Sequence, residues 1–318
     1  MTVSLHEKKY AAAFEVINNQ WLESASQLCV LMDPLLGDAL LPELTFDGLA
    51  CYPLPIKHNQ LTNNGIPYLL TASDPVMERI LSESLHVALL ELENTSPPMA
   101  RSVCGWLTTA MPPKALSQQL ASHAIVRDTH HKRRLLRYWD PRVFTAMQHN
   151  TSLNTLLPTA QKATTWFAFN ENGQLAMQPL AEAPFVPAGE QAALQAAQLA
   201  QLLLTTESNA VMTRLKEKIK APYITVDKAR VEHNLQVASQ LAFNNFDDKI
   251  PFAADRYRTE VPLEAAERMH ALIQLCQQGK ASYENVTSTW EHATDWVDVI
   301  AEARQAQANL RTNKVSGR

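Results

Sequence analysis

Ala183-Pro184-Phe185-Val186-Pro187-Ala188-Gly189 divides the chain into two kinds of sequence. Its two prolines and one glycine interrupt any helix or central strand, because proline lacks a backbone donor and glycine loses the most entropy on ordering. Before it, short apolar runs alternate with helical spacings. After it, helical periodicity takes over. This boundary predicts an α+β (mixed α/β) N-terminal domain over 1–183, a proline-rich linker over 184–189, and an all-α helical domain over 190–318.

The strand signals lie in the N-terminal part. Leu28 to Met32 is an apolar run stopped by Asp33-Pro34, a buried strand followed by a turn. Phe46-Asp47-Gly48 is a second turn. Ile66 to Leu70 and Ser102 to Thr109 read as further strands. Ser73-Asp74-Pro75 caps a helix carrying Met77, Ile80, Leu81 and Leu85, and His86 to Leu92 returns to strand character. Pro112-Pro113 opens a helix with Leu116, Leu120, Ala124 and Ile125 on one side. Leu135 to Trp139 is strand-like, and Asp140-Pro141 starts another helix by the same cap-plus-proline logic. Trp166 to Phe169 and Leu175 to Met177 flank Glu171-Asn172-Gly173, a hairpin signal.

The second part reads as four or five helices. Leu194, Leu199, Leu202 and Leu203 mark the first, and Val231, Leu235, Ala238 and Ala242 the next. Pro262 opens a helix with Ala265, Met269, Leu272 and Cys276, which Gly279 ends. Tyr283 to about Leu310 reads as one last long helix.

Composition excludes several classes. Hydrophobic residues make up 46% of the 318 and charged residues 19%, which suits a packed core rather than a disordered chain. Only eight glycines are present, so a glycine-cradled phosphate site is not expected, and none of the common glycine-rich or nucleophile-elbow motifs occurs. The net charge of −4 argues against a surface devoted to nucleic acid. No run reaches the about 18 apolar residues that a membrane span needs. The N-terminus lacks the apolar stretch of a secretory signal. Cys29, Cys51, Cys104 and Cys276 are far apart in sequence, as expected for reduced thiols in a cytoplasmic protein.

Three segments could carry chemistry. Cys104, with His123, His130 and His131 downstream, is the candidate for a thiol hydrolase, although an apolar strand pattern surrounds it. His130-His131 is a poor bidentate metal site, since adjacent side chains diverge, and reads as a solvated turn. Residues 127–142 hold Arg127, Lys132, Arg133, Arg134, Arg137 and Arg142 with Tyr138 and Trp139 between them. Such a basic-aromatic mixture can bind single-stranded nucleic acid, a reading set behind a protein partner because the rest of the domain is acidic. Within it, Arg137-Tyr138-Trp139-Asp140-Pro141-Arg142 reads as a strand-to-helix junction. Asp140 caps the helix that Pro141 begins, bracketed by Arg137 and Arg142.

The order of these motifs resembles the type VI secretion effector adaptors, also called effector chaperones (the Tap/Tec group). The matching residues are Leu31-Met32-Asp33, Ile66-Pro67-Tyr68-Leu69-Leu70, Cys104-Gly105-Trp106-Leu107 with the following Leu116, Leu120 and His123, and the run from Arg134 to Val143. Trp139 stands where the family more often has tyrosine. The resemblance covers about residues 25 to 180 and implies a non-enzymatic, cofactor-free cytoplasmic protein. Such a protein holds a cognate toxic effector and helps load it onto the VgrG spike. It implies that the α/β domain engages the spike or its C-terminal extension and the helical domain the effector.

Two features of the helical domain are candidate partner contacts. Trp290 and Trp296 lie six apart, about 120° from a common line on one helix, so one can pack inward while the other stays available. Arg214, Lys216, Lys218 and Lys220 form a basic segment suited to an acidic partner or to solvent.

Overall fold

The computed structural model describes residues 4–23, 26–36, 48–61, 65–93, 101–170, 173–187, 193–219, 226–243, 245–292 and 294–316. The chain forms two compact units: the described residues up to Thr205, and those from Thr206 onward.

The first unit is built on a six-stranded antiparallel sheet. Its elements begin with α1 (Leu5–Glu23), β1 (Gln27–Met32), β2 (Ala50–Pro53), β3 (Tyr68–Thr71), α2 (Asp74–Glu93) and β4 (Val103–Thr109). They continue with α3 (Pro113–His123), β5 (Ile125–Arg127), β6 (Arg133–Leu135), α4 (Pro141–His149), α5 (Thr151–Asn154), β7 (Thr164–Phe169) and β8 (Leu175–Pro179). The sheet order is β2-β3-β1-β4-β7-β8, with β5 and β6 paired as a separate hairpin.

β1 and β4 lie at the centre, and five of the six β1 residues and all of β4 are buried. A strand covered on both faces reads as an unbroken apolar run, which is why both are visible in the sequence. Side chains then alternate between two cores. Leu28, Val30, Met32, Trp106 and Phe167 pack with α1 and α2. Cys29, Leu31, Cys104, Leu107 and Trp166 pack with α3, α4 and α5 on the other face.

Two expectations for this unit are corrected. His86 to Leu92 stays within α2, because Leu85, Ala88, Leu89 and Leu92 keep the helical spacing and are buried. Of Leu135 to Trp139, only Leu135 is in a strand; Tyr138 and Trp139 form the turn before α4. α1 goes unread in the sequence, although Ala13, Ile17 and Trp21 recur every fourth residue and are the ones it buries. The turn read at Phe46-Asp47-Gly48 lies largely outside the described residues.

Residues 184–187 are irregular and exposed, whereas Ala188 and Gly189 lie outside the described residues. The following chain still belongs to the first unit. Leu194 is buried in its core, and Leu199 and Leu202 pack against it. The division falls between Thr205 and Thr206, within α6 (Ala196–Ile219).

The second unit is helical. It takes the remainder of α6, then α7 (Lys228–Gln240), α8 (Phe246–Thr259), a 3-10 turn (Leu263–Ala265), α9 (Glu267–Gln277), α10 (Tyr283–Thr287) and α11 (Asp295–Ser316). Phe243, Phe252, Tyr283, Met269, Trp296 and Val299 form its core. Gly279 ends α9 at φ +67°, its N–H bonded to Cys276 O while Lys280 N reaches Leu275 O, a Schellman stop. Six α-helices among the described residues replace the four or five expected. α8 escapes a reading based on spacing because Pro251 sits inside it. The long helix expected from Tyr283 is two helices, α10 and α11, with Trp290 in the break between them.

Candidate functional site

The Arg137–Arg142 segment closes a buried network of charge at one end of the sheet. Asp33, immediately after β1, is 1% exposed. Its carboxylate accepts from Arg137 Nη2 at 2.5 Å, from Trp139 Nε1 at 2.7 Å and from Leu35 N at 2.9 Å. Asp140 caps α4 through Arg142 N at 3.0 Å and also takes both Nε and Nη2 of Arg142, at 2.9 and 2.7 Å. Pro141 supplies the first helical residue, where no donor is lost. Burial alone would raise the Asp140 carboxyl, but Arg142 outweighs it and holds the group below its usual range.

Glu91 extends the network from α2. It accepts from Ser102 N at 3.1 Å and from the Ser102 hydroxyl. Burial pushes its carboxyl up despite these bonds. Arg101, itself buried, lowers both Glu91 and Asp140. Three carboxylates, Asp33, Glu91 and Asp140, are therefore matched by Arg101, Arg137 and Arg142. Buried charge is tolerated only when paired in this way.

Cys104 lies among these groups. It is fully buried, and its Sγ contacts the carbonyls of Arg101 and Ser102 at 3.6 and 3.7 Å. Burial, reinforced by Asp33, Asp140 and Glu91, pushes the thiol well above its usual range. His123 bonds elsewhere, its Nε2 meeting Thr159 N at 3.3 Å and Thr159 Oγ1 at 3.2 Å. The thiol–imidazole pair on which the hydrolase alternative depends is not among these contacts. A nucleophilic cysteine needs an accessible thiolate, and burial here opposes both access and ionisation.

The aromatics of the motif face inward. Tyr138 and Trp139 are both fully buried, and Tyr138 OH donates to Leu120 O at 2.6 Å. Tyr138 meets Trp166 edge-on, and Phe144 of α4 stacks on Trp166 at 4.5 Å. No base can stack on Tyr138 or Trp139, which removes the aromatic half of the nucleic-acid alternative over 127–142. Arg137 and Arg142 keep 32% and 17% of their side-chain surface. They are the parts of the motif that a partner can touch.

The candidate contacts of the second unit are largely engaged within it. Trp290 and Trp296 meet edge-on at 5.3 Å, and Trp296 is buried. The angle expected from one shared helix does not apply, because Trp290 precedes α11. Arg268 covers Trp290 at 4.8 Å, and Arg258 covers Trp296 at 5.5 Å. Arg214 pairs with Glu284 at 2.6 Å, and Lys218 pairs with the buried Asp255 at 2.9 Å. Lys216 is buried, and Lys220 lies outside the described residues. A cleft of about 620 Å³ beside Arg214, between Phe246, Asp247, Pro251, Ser282 and Glu284, has no counterpart in the sequence reading.

His130 and His131 sit on an exposed turn, and among the described residues no group of three His, Cys, Asp or Glu side chains can hold a metal ion. The four cysteines are free thiols. No helix of the described residues is long and apolar enough to cross a membrane.

Neither the curated proteins nor the solved structures contain a match to this chain. A protein-family model described as a domain of unknown function, DUF4123, matches residues 66–156, the stretch that runs from β3 through α2, β4 and the β5–β6 hairpin to the end of α5 and contains the Arg137–Arg142 motif.

Proposed function

We propose that this chain is a non-enzymatic adaptor of type VI secretion. It binds a cognate toxic effector in the cytoplasm and promotes its loading onto the VgrG spike. The observation that carries this reading is the family match over residues 66–156, which spans Cys104-Gly105-Trp106-Leu107 and the run from Arg134 to Val143. Of these, the run from Arg134 to Val143 is the specific point of resemblance to the effector adaptors, and Cys104-Gly105-Trp106-Leu107 adds to it by its order in the chain. Two further features support it. The chemistry-bearing groups of the motif are spent on packing and ion pairing, as in a scaffold rather than a reaction centre. Two units with separate cores offer separate surfaces to two partners.

Co-expression with a cognate spike protein and a candidate effector, followed by size-exclusion chromatography with light scattering, tests this. The expected result is a complex of defined mass and an effector whose solubility depends on this chain. An effector that behaves identically without the chain, together with no spike complex, overturns the reading.

A further inference from the structure

The β5–β6 hairpin carries a charge that the described residues leave unbalanced. The hairpin, residues 125–135, contains four basic residues and one acidic residue, Asp128. That single carboxylate is buried in the turn and works as its internal frame. Asp128 Oδ1 accepts from His130 N and Lys132 N, both at 2.9 Å, and Oδ2 accepts from Arg134 Nε at 2.9 Å. Asp128 N bonds to Lys132 O, and His131 N bonds to Asp128 O, both at 2.9 Å. His131 closes the turn in the left-handed region at φ +59°. At the strand end, Ile125 and Val126 anchor the hairpin in the first core.

This frame fixes the backbone of a tip whose side chains point into solvent. His130, His131, Lys132, Arg133 and Arg134 are all exposed. Arg134 is committed to Asp128. Lys132 and Arg133 have no carboxylate partner among the described residues. Arg133 Nη2 instead reaches the carbonyl of Lys57 at 3.2 Å, bringing the backbone of another exposed lysine beside the tip.

We propose that the tip of this hairpin, with Lys132 and Arg133 beside Lys57, is a docking surface for an acidic polypeptide segment. Positive charge on a prefolded turn lowers the ordering cost of binding and steers an oppositely charged partner. An acidic protein fits better than nucleic acid. Tight binding of a single strand combines basic groups with stacking aromatics, and the aromatics of this segment, Tyr138 and Trp139, are buried. The surface is separate from the Arg137–Arg142 motif and does not depend on the identity of the effector or the spike.

The test uses the full chain and fluorescence anisotropy with three probes: a labelled glutamate-rich peptide, a neutral glycine–serine peptide of equal length, and an oligothymidine. The double variant K132E/R133E leaves Asp128 and Arg134, and so the turn, in place. The variant K114E/K162E, at two exposed lysines outside the hairpin, makes the same change in net charge. The expected result is acidic-peptide binding that weakens with salt, falls by about tenfold in K132E/R133E and is retained in K114E/K162E, with melting temperatures unchanged. Equal loss in both variants, no binding of the acidic peptide at low salt, or tightest binding of the oligothymidine overturns the proposal. A wild-type chain that binds the acidic peptide but forms no spike or effector complex refutes only the adaptor function. A spike or effector complex without acidic-peptide binding refutes only the docking surface.

Discussion

His123 closes the last turn of α3 with its ring turned toward Thr159, whose N–H donates to Nε2 at 3.3 Å. Burial lowers its pKa from 6.5 to about 4, so the folded protein keeps the ring neutral where the unfolded chain protonates it. A depressed pKa of this kind contributes stability that is complete above pH 6.5 and is lost as pH falls toward 4. The wild type should lose about 2 kcal/mol over that window from this group, and His123→Gln, which keeps an acceptor for Thr159, should lose correspondingly less. Urea melts of both proteins at neutral pH and near pH 4.5 check this, and parallel losses would contradict it. The sequence shows His123 but not its environment, since Thr159 is 36 residues away. Asp33 illustrates the same limit. Its turn with Pro34 is legible, whereas its bond to Trp139 spans 106 residues and depends on how the sheet closes.

β4 is legible as an apolar run because both its faces are covered, but the irregularity within it is not. Leu31 faces Gly105 and Met32 faces Val103, so Cys104 is the extra residue of a β-bulge. The bulge belongs to the register of two strands, which no single stretch of sequence records. Gly105 is its sequence trace, since glycine inside a strand pattern marks a bulge or a close backbone approach. Its φ is +149°, and a Cβ there would collide with the Phe167 carbonyl oxygen and Trp166 Nε1. Gly105→Ala should therefore destabilise the first unit by about 3 kcal/mol, through strain and forced movement of β7. Chemical denaturation followed by tryptophan fluorescence checks it, and a wild-type midpoint would rule the clash out. Helices follow the same logic. α3 and α4 announce themselves through Pro113 and Pro141 at their first residues. α8 hides its own start behind a proline in its interior.

The two units differ in what holds them together, and that difference has a thermodynamic consequence. The first unit surrounds a sheet with two apolar layers, and the second packs helices around the trio Phe243, Phe252 and Tyr283, whose ring centroids lie 5.0 to 5.8 Å apart. The composition shift at 183–189 reveals that there are two kinds of structure. It does not locate the division, because Leu194, Leu199 and Leu202 look like any helical stripe until the core they cover is known. Since each unit buries its own apolar side chains, each should unfold as its own cooperative step. Leu107→Ala removes a fully buried side chain from the first core, and Phe252→Ala removes one from the second. Each should cost about 3–5 kcal/mol, and the two costs should add, since residues without shared partners are energetically independent. Differential scanning calorimetry of the full chain should show two transitions, with Leu107→Ala lowering one and Phe252→Ala the other. A single transition lowered by both substitutions would mean that the units fold as one. Under the proposed adaptor function the first outcome is an advantage, because one unit can then adjust to its partner while the other remains folded on its own core.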